Sequence, residues 1–200
     1  MKLLYIEAIA FMSGVVNVYL LTRFSLWNWL FGIITVSLYA IIFFNTKLYA
    51  DMGLQGVFLI FQFYGLYQWC YGSSEKKPIA MQVMSHSTCL SLALAAIILF
   101  AGISFILKHS TDSTTIYADA TITTLSLIAQ WMMSKKYLHH WVLWVVIDLF
   151  SIGLYISKTL YLTALLYSVF MLLCIKGYYQ WRDTLNKSIG CLIPSQVKSG

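Results

Sequence analysis

Residues 3–71 of this chain align without a gap on residues 115–183. Tyr5, Glu7 and Ala8 fall on Tyr117, Asp119 and Ala120, and Arg23 falls on Lys135. Trp29 pairs with Trp141 and Leu48-Tyr49 with Leu160-Tyr161, and Gly65-Leu66-Tyr67-Gln68-Trp69 pairs with Gly177-Tyr178-Tyr179-Gln180-Trp181. Apolar matches arise easily between hydrophobic segments. A shared Gly-x-Tyr-Gln-Trp ending and matched acids do not. An internal duplication in a hydrophobic chain points to two half-units enclosing a central path, a transporter architecture.

The solvent follows from composition. The 200 residues are 60% hydrophobic, 16% aromatic and only 10% charged, where a soluble domain carries ~25% charged residues. Charges fall between apolar runs long enough to cross ~30 Å of hydrocarbon as helices. The pattern predicts seven spans, near 3–21, 28–45, 53–71, 83–107, 116–133, 141–157 and 160–178. The chain therefore reads as one all-α integral-membrane domain. Met1-Lys2-Leu3-Leu4 has the look of a signal peptide, but Glu7 interrupts the apolar run and span one has a repeat partner, so it reads as a structural helix. Cys70, Cys89, Cys174 and Cys191 lack disulfide or metal spacing and read as small packing residues.

A net charge of +6 could signal nucleic acid, but its distribution signals a membrane. With seven spans, one side carries Arg23, Lys76, Lys77, Lys135, Lys136, Arg182, Lys187 and Lys198, and the other only Lys2, Lys47, Lys108 and Lys158. Basic residues stay cytoplasmic, which predicts an inner-membrane protein with its N-terminus outside and its C-terminus inside. The same residues meet anionic headgroups of the lipid bilayer. No nucleic-acid role is implied.

The duplication places span one on five, two on six and three on seven. Equivalent spans are an even number of crossings apart and so run parallel, with span four as the linker that resets direction. This predicts a first three-helix repeat over 1–72, a loop and linker helix over 73–110, a second repeat over 111–183 and a cytoplasmic tail over 184–200. Gly72–Pro78 and 108–115 are the clearest connecting segments, and Pro78 and Pro194 both fall outside the spans.

Span six carries the sharpest set of candidates. Trp141, Trp144, Asp148, Ser151 and Tyr155 recur at intervals of three and four, one helix face. A carboxylate as deep as Asp148 costs ~2.5–3.5 kcal/mol against lipid, so it should face a cavity with a partner or ligand. Two indoles and an acid form a seat for a flat cationic ring. Gln55 and Gln62 on span three offer amides for ribose hydroxyls or a carboxamide, with helix–helix bonding as the bland alternative. Thr35, Tyr39 and Tyr167 are candidates to complete the pocket. Glu7 and Asp119 occupy matched outer positions, fit for a gate or merely for the wet interface. Asp119, Thr123, Ser126 and Gln130 form a polar stripe on span five. Trp29, Trp69, Trp131 and Trp181 read as interfacial belt residues, and Trp141 is divided between belt and binding. His139 and His140 read as solvated, and Lys176 as snorkelling. No nucleophile–base pair, metal cluster or phosphate loop stands out, so neither catalysis nor a cofactor or metal is expected.

The same residues resemble the Pnu family of bacterial vitamin transporters, from Ile6-Glu7-Ala8 through to Trp181. The matching motifs are Asn28-Trp29-Leu30-Phe31-Gly32, Ile41-Ile42-Phe43-Phe44, Leu48-Tyr49-Ala50, Gln55, Tyr64-Gly65, Trp141-x-x-Trp144 with Asp148, Gly153-Leu154-Tyr155 and Leu160 to Tyr167. The resemblance implies a 3+1+3 fold of two parallel three-helix bundles and a linker helix, similar in plan to SWEET transporters, and a homotrimer. It further implies facilitated diffusion of a vitamin precursor, trapped afterwards by a cytoplasmic kinase. The Pro-Gln signature of sugar carriers is absent, which argues against a sugar. Nicotinamide riboside is the first expected substrate and thiamin the second, both fixed cations suited to Asp148. In the nicotinamide riboside carriers this position is often asparagine. A rival from another class is a non-transporting membrane scaffold or sensor whose aromatic stripe serves packing.

Overall fold

The computed structural model describes residues 2–45, 49–72, 81–110, 115–157 and 161–192. Seven helices form, as expected: α1 (Lys2–Thr22), α2 (Trp27–Asn45), α3 (Tyr49–Tyr71), α4 (His86–Ser110), α5 (Ile116–Ser134), α6 (His140–Ser157) and α7 (Tyr161–Leu192). The expected linker over 73–78, segment 111–114, Lys47, Lys158, Leu160 and residues 193–200 of the tail lie outside the described residues.

Six helices close a ring. α1 packs on α2, α2 on α3, α3 on α5, α5 on α6, α6 on α7, and α7 returns to α1. Among the described elements α4 packs on α5 alone and stands outside this ring. Its entry is pinned by backbone bonds: Gln82 N–H donates to Lys136 O and Leu138 N–H to Gln82 O, both at 3.0 Å. Four helices, over Tyr5–Thr22, Trp27–Asn45, His86–His109 and His140–Ser157, are long and apolar enough to cross a membrane. α5 is more polar, yet it buries Thr124, Ser126, Gln130 and Ser134. Outward faces carry exposed Ile9, Ile60, Leu94, Ile97, Phe105 and Leu149, apolar surface suited to lipid.

α7 runs well past the end set by hydropathy. The helix continues through Trp181-Arg182-Asp183 to Leu192, since loss of hydrophobicity does not break a helix and the next proline is Pro194. The first part of the expected tail is therefore helical.

The α1–α2 and α5–α6 turns are built alike, at residues the duplication equates. Ser25 N–H bonds Leu20 O and Phe24 N–H bonds Leu21 O; likewise Tyr137 N–H bonds Met132 O and Lys136 N–H bonds Met133 O. These are Schellman closures. Their left-handed residues, normally glycine, are Phe24 (φ 54°) and Lys136 (φ 56°), each costing about 1–2 kcal/mol in backbone strain. Side-chain contacts offset it. Phe24 stacks on Trp181 at 4.3 Å, and the Lys136 ammonium lies 4.4 Å over the Trp69 ring. Burial pushes the Lys136 ammonium below the usual lysine range, while the indole face favours its charged form.

Each indole also reaches across the ring. Trp181 Nε1–H on α7 donates to Leu21 O on α1 at 3.2 Å, and Trp69 Nε1–H on α3 donates to Met133 O on α5 at 3.3 Å. The accepting carbonyls are the same two that close the turns. Trp29 meets Trp69 edge-on at 5.5 Å and 81°, and Trp141 meets Trp181 at 5.7 Å and 83°. Trp69 and Trp181 approach to 6.0 Å. Trp29, Trp141 and Trp181 are fully buried and Trp69 is 3% exposed. The belt reading of Trp29, Trp69 and Trp181 is thus overturned, because interhelical packing and indole hydrogen bonds draw them inward. Trp131 is only half-buried, while Trp27 is the exposed tryptophan, at 64%. His140 is likewise not solvated: it is fully buried, its ring 4.9 Å from Trp181 and its Nδ1 2.7 Å from Tyr137 O.

Two glycines admit this cluster. The Trp29 ring occupies the place of a Cβ on Gly65, and the Trp141 ring that of a Cβ on Gly177. Gly65→Ala and Gly177→Ala should each destabilise the protein by about 1–3 kcal/mol through overpacking. Gly102→Ala, in open space on α4, should be neutral or stabilising because alanine is the better helix former. Thermal unfolding in detergent checks all three. Trp69→Phe keeps an aromatic ring but removes the bond to Met133 O and the five-membered part of the indole, and should lower the melting temperature through the lost bond and the space left behind.

Candidate functional site

Beneath the tryptophan cluster the ring forms a partly open cavity of about 230 Å³. Every ring helix lines it. α1 gives Gly14, Asn17, Val18 and Leu21, α2 gives Thr35 and Val36, and α3 gives Phe58 and Gln62. α5 gives Gln130 and Met133, α6 gives Trp141, Trp144 and Asp148, and α7 gives Tyr167, Phe170 and Cys174. The volume lies below the ~300–1,000 Å³ of drug-sized sites and suits one small ring-bearing molecule.

The α6 stripe folds as its spacing implies. Trp141, Asp148 and Ser151 are buried, while Trp144 and Tyr155 are half-buried. Tyr155 stacks on Tyr167 at 5.2 Å, which couples the stripe to α7, and Tyr167 meets Phe170 edge-on at 6.1 Å. Asp148 shares a hydrogen bond with the Cys174 thiol. Its Oδ2 is buried without a hydrogen-bond partner. Thr35 does not pair with it, since the Thr35 hydroxyl donates to Phe31 O on its own helix at 2.8 Å. Gln62 lies against the bare backbone of Gly32, whose Cβ would collide with the carboxamide; its Oε1 is also unpartnered. Gln130 Nε2 and Trp141 Nε1 complete a set of buried polar atoms that the protein leaves unpaired around one apolar chamber. Such groups cost about 1–3 kcal/mol each and call for an explanation.

Six of the expected site residues therefore share one cavity: Thr35, Gln62, Trp141, Trp144, Asp148 and Tyr167. Gln55 and Tyr39 do not line it. Gln55 is half-buried two turns along α3 from Gln62, and Tyr39 stacks along α2 on Phe43 at 6.0 Å. Glu7 is exposed on α1. Asp119 is half-buried and accepts from the Thr115 hydroxyl at 2.9 Å. Lys176 places its ammonium 5.8 Å over the Tyr19 ring. Of the cysteines, Cys174 is buried as a packing residue would be, but Cys70 and Cys89 are exposed. Among the described residues no cluster of His, Cys, Asp or Glu could hold a metal ion.

Asn17, Phe58, Phe170 and Cys174 belong to the lining without having stood out in the sequence. Phe58 and Phe170 carried a usable signal, being equivalent aromatics in the duplication. Asn17 carried none, because a single polar residue on an apolar helix has no pattern.

Comparison with known proteins bears on this chamber. The family model for the nicotinamide mononucleotide transporter matches residues 4–183. The nicotinamide riboside transporter PnuC of Escherichia coli strain K12 is 26% identical over 202 aligned positions, covering 88% of this chain and 84% of that protein. The PnuC of Neisseria mucosa is 25% identical over 93% of this chain and 75% of its own length. A crystal structure of the vitamin B3 transporter PnuC superposes with a TM-score of 0.73 at 23% identity, covering 92% of this chain and 83% of that one. The fold is shared with that structure, and the match over nearly all of the helical ring places the chain in the nicotinamide mononucleotide transporter family, whose members include the Pnu vitamin carriers its motifs resemble.

Proposed function

We propose that this protein carries nicotinamide riboside across the inner membrane by facilitated diffusion. The observation that carries the reading is the buried Asp148 carboxylate, its Oδ2 without a hydrogen-bond partner, beside Trp144 and Trp141 in the cavity of the ring. A pyridinium ring would stack on the indoles with the acid as counter-charge, and its carboxamide and ribose hydroxyls would meet the unpaired amides. The relatives named as nicotinamide riboside transporters support this substrate. Thiamin, also a fixed cation, is the second reading, favoured by Asp148 being an acid. Trapping by a cytoplasmic kinase and assembly as a homotrimer belong to the proposal through family resemblance. Exposed Glu7 and half-buried Asp119 belong to the proposal as gating residues at the outer entrance.

The architecture proposed is two parallel three-helix repeats, α1–α3 and α5–α7, joined by α4. Its support is the matched pairs: α1–α7 against α3–α5 packing, the two left-handed turns, and the reciprocal indole bonds. Arg23, Lys135 and Lys136 mark the end bearing these turns, and Arg182 and Lys187 follow on α7, so that end is taken as cytoplasmic. A fluorescent protein fused after Gly200 should then glow, and alkaline phosphatase fused there should be inactive; the opposite pair of results reverses the topology.

Asp148→Asn should weaken binding of nicotinamide riboside by about 1.5–3 kcal/mol, the scale of a hydrogen bond to a charged group. A neutral reduced analogue should lose far less. Calorimetry on both proteins decides, and equal losses would sink the counter-ion role. In proteoliposomes, nicotinamide riboside should move down its own electrochemical gradient. Imposed proton or sodium gradients at zero membrane potential should leave the flux unchanged; acceleration by either would show coupling.

A further inference from the structure

The duplication supplies an internal control for the cavity wall. Positions 21 and 133, and 58 and 170, are equivalent pairs that both line it, and they are apolar in both halves: Leu21 with Met133 and Phe58 with Phe170. Three further pairs differ, one of them, Gln62 with Cys174, carrying its amide in the first copy. Val18 is matched by Gln130 and Val36 by Asp148, and all four line the cavity. The same backbone frame therefore accepts valine where the second half carries an amide or an acid. Polarity at these positions is not a requirement of the turns or of helix packing.

Gln130 is only 4% exposed, and its Nε2 has no hydrogen-bond partner. Burying an unpaired amide is unfavourable, and valine would avoid the cost. Its location adds a reason for its presence. Gln62 stands on α3, Gln130 on α5 and Asp148 on α6, three consecutive helices of the ring. The wall thus shows an acceptor at Gln62 Oε1, a donor at Gln130 Nε2 and an acceptor at Asp148 Oδ2, each unpaired. A ligand edge that complements it presents a carbonyl or ring-nitrogen acceptor flanked by N–H or O–H donors.

We infer that Gln130 is a specificity-determining residue that donates a hydrogen bond to the acceptor on the side group of a cationic ring, the carboxamide oxygen in the case of nicotinamide riboside. The inference rests on the transport reading above and sharpens its substrate class. The donor at Gln130 is matched only by a valine, Val18, at its pseudo-equivalent position, so the ring enters in a single orientation, with the side group toward α5.

The test is Gln130→Val, the residue that position 18 already carries. Affinities for nicotinamide riboside and for N-ribosylpyridinium, which lacks the carboxamide, are measured by calorimetry on wild type and variant, with ligand-free melting temperatures alongside. The variant should bind nicotinamide riboside about tenfold more weakly, the loss of one good hydrogen bond with an unpaired ligand group left behind. It should bind N-ribosylpyridinium within about twofold of wild type, because neither the donor nor its acceptor is then engaged. Its ligand-free melting temperature should hold or rise. Unchanged affinity for nicotinamide riboside, equal losses for both ligands, or a fall in ligand-free stability that accounts for the loss each overturn the role. Failure of the wild type to bind nicotinamide riboside is a different result: it removes the substrate reading, and the same comparison made with thiamin and an analogue whose pyrimidine ring nitrogens, the acceptors, are replaced by C–H groups then decides for or against Gln130.

Discussion

Two carbonyl oxygens, those of Leu21 and Met133, hold the ring together. Each closes the end of its own helix and also accepts an indole N–H from a helix of the other half. Orphan carbonyls at a helix end must be satisfied, and Leu21 and Met133 are buried away from water by the protein itself. Using one oxygen for both tasks ties local turn geometry to the α1–α7 and α3–α5 seams. Left-handed Phe24 and Lys136 then cover the faces of the same indoles. Altering the turn, the indole or the covering residue therefore disturbs one shared junction.

The two junctions are alike in backbone and unlike in chemistry. Trp181 is covered by an aromatic ring and Trp69 by a buried ammonium. An aromatic stack is insensitive to charge, whereas a cation–π contact depends on the lysine remaining protonated against burial that disfavours it. The cavity shows the same principle one layer deeper. At aligned positions the lining is polar at Gln130 and Asp148, where the other copy carries Val18 and Val36, and at Gln62, where it carries Cys174.

Periodicity and hydropathy made the helices legible, because in a membrane-like composition every span must satisfy its own backbone. The seven helices appear close to the expected positions, except that α7 extends to Leu192. The α6 stripe was legible for the same reason: residues three and four apart share a face whatever surrounds the helix. Tryptophan placement was not legible. An indole at a helix end fits an interface or a core equally well, and only the neighbouring Gly65 and Gly177, together with carbonyls distant in sequence, draw Trp29, Trp69, Trp141 and Trp181 inward. Gln55 failed for a related reason. It shares a helix face with Gln62, but the cavity is too short along α3 to include both.

The sequence by itself determined helix number, the equivalence of residues 3–71 with 115–183, and the presence of a deep acid among tryptophans on one face of α6. These are properties of a single helix or of aligned residues, and they need no knowledge of neighbours. Tertiary structure alone decided that α3, α5 and α6 stand side by side, that Gln62, Gln130 and Asp148 share one chamber, and that Asp148 meets Cys174 rather than Thr35. Those outcomes depend on which helix faces meet. That choice is made by the packing of whole surfaces, to which any one residue contributes too little energy to be read in advance.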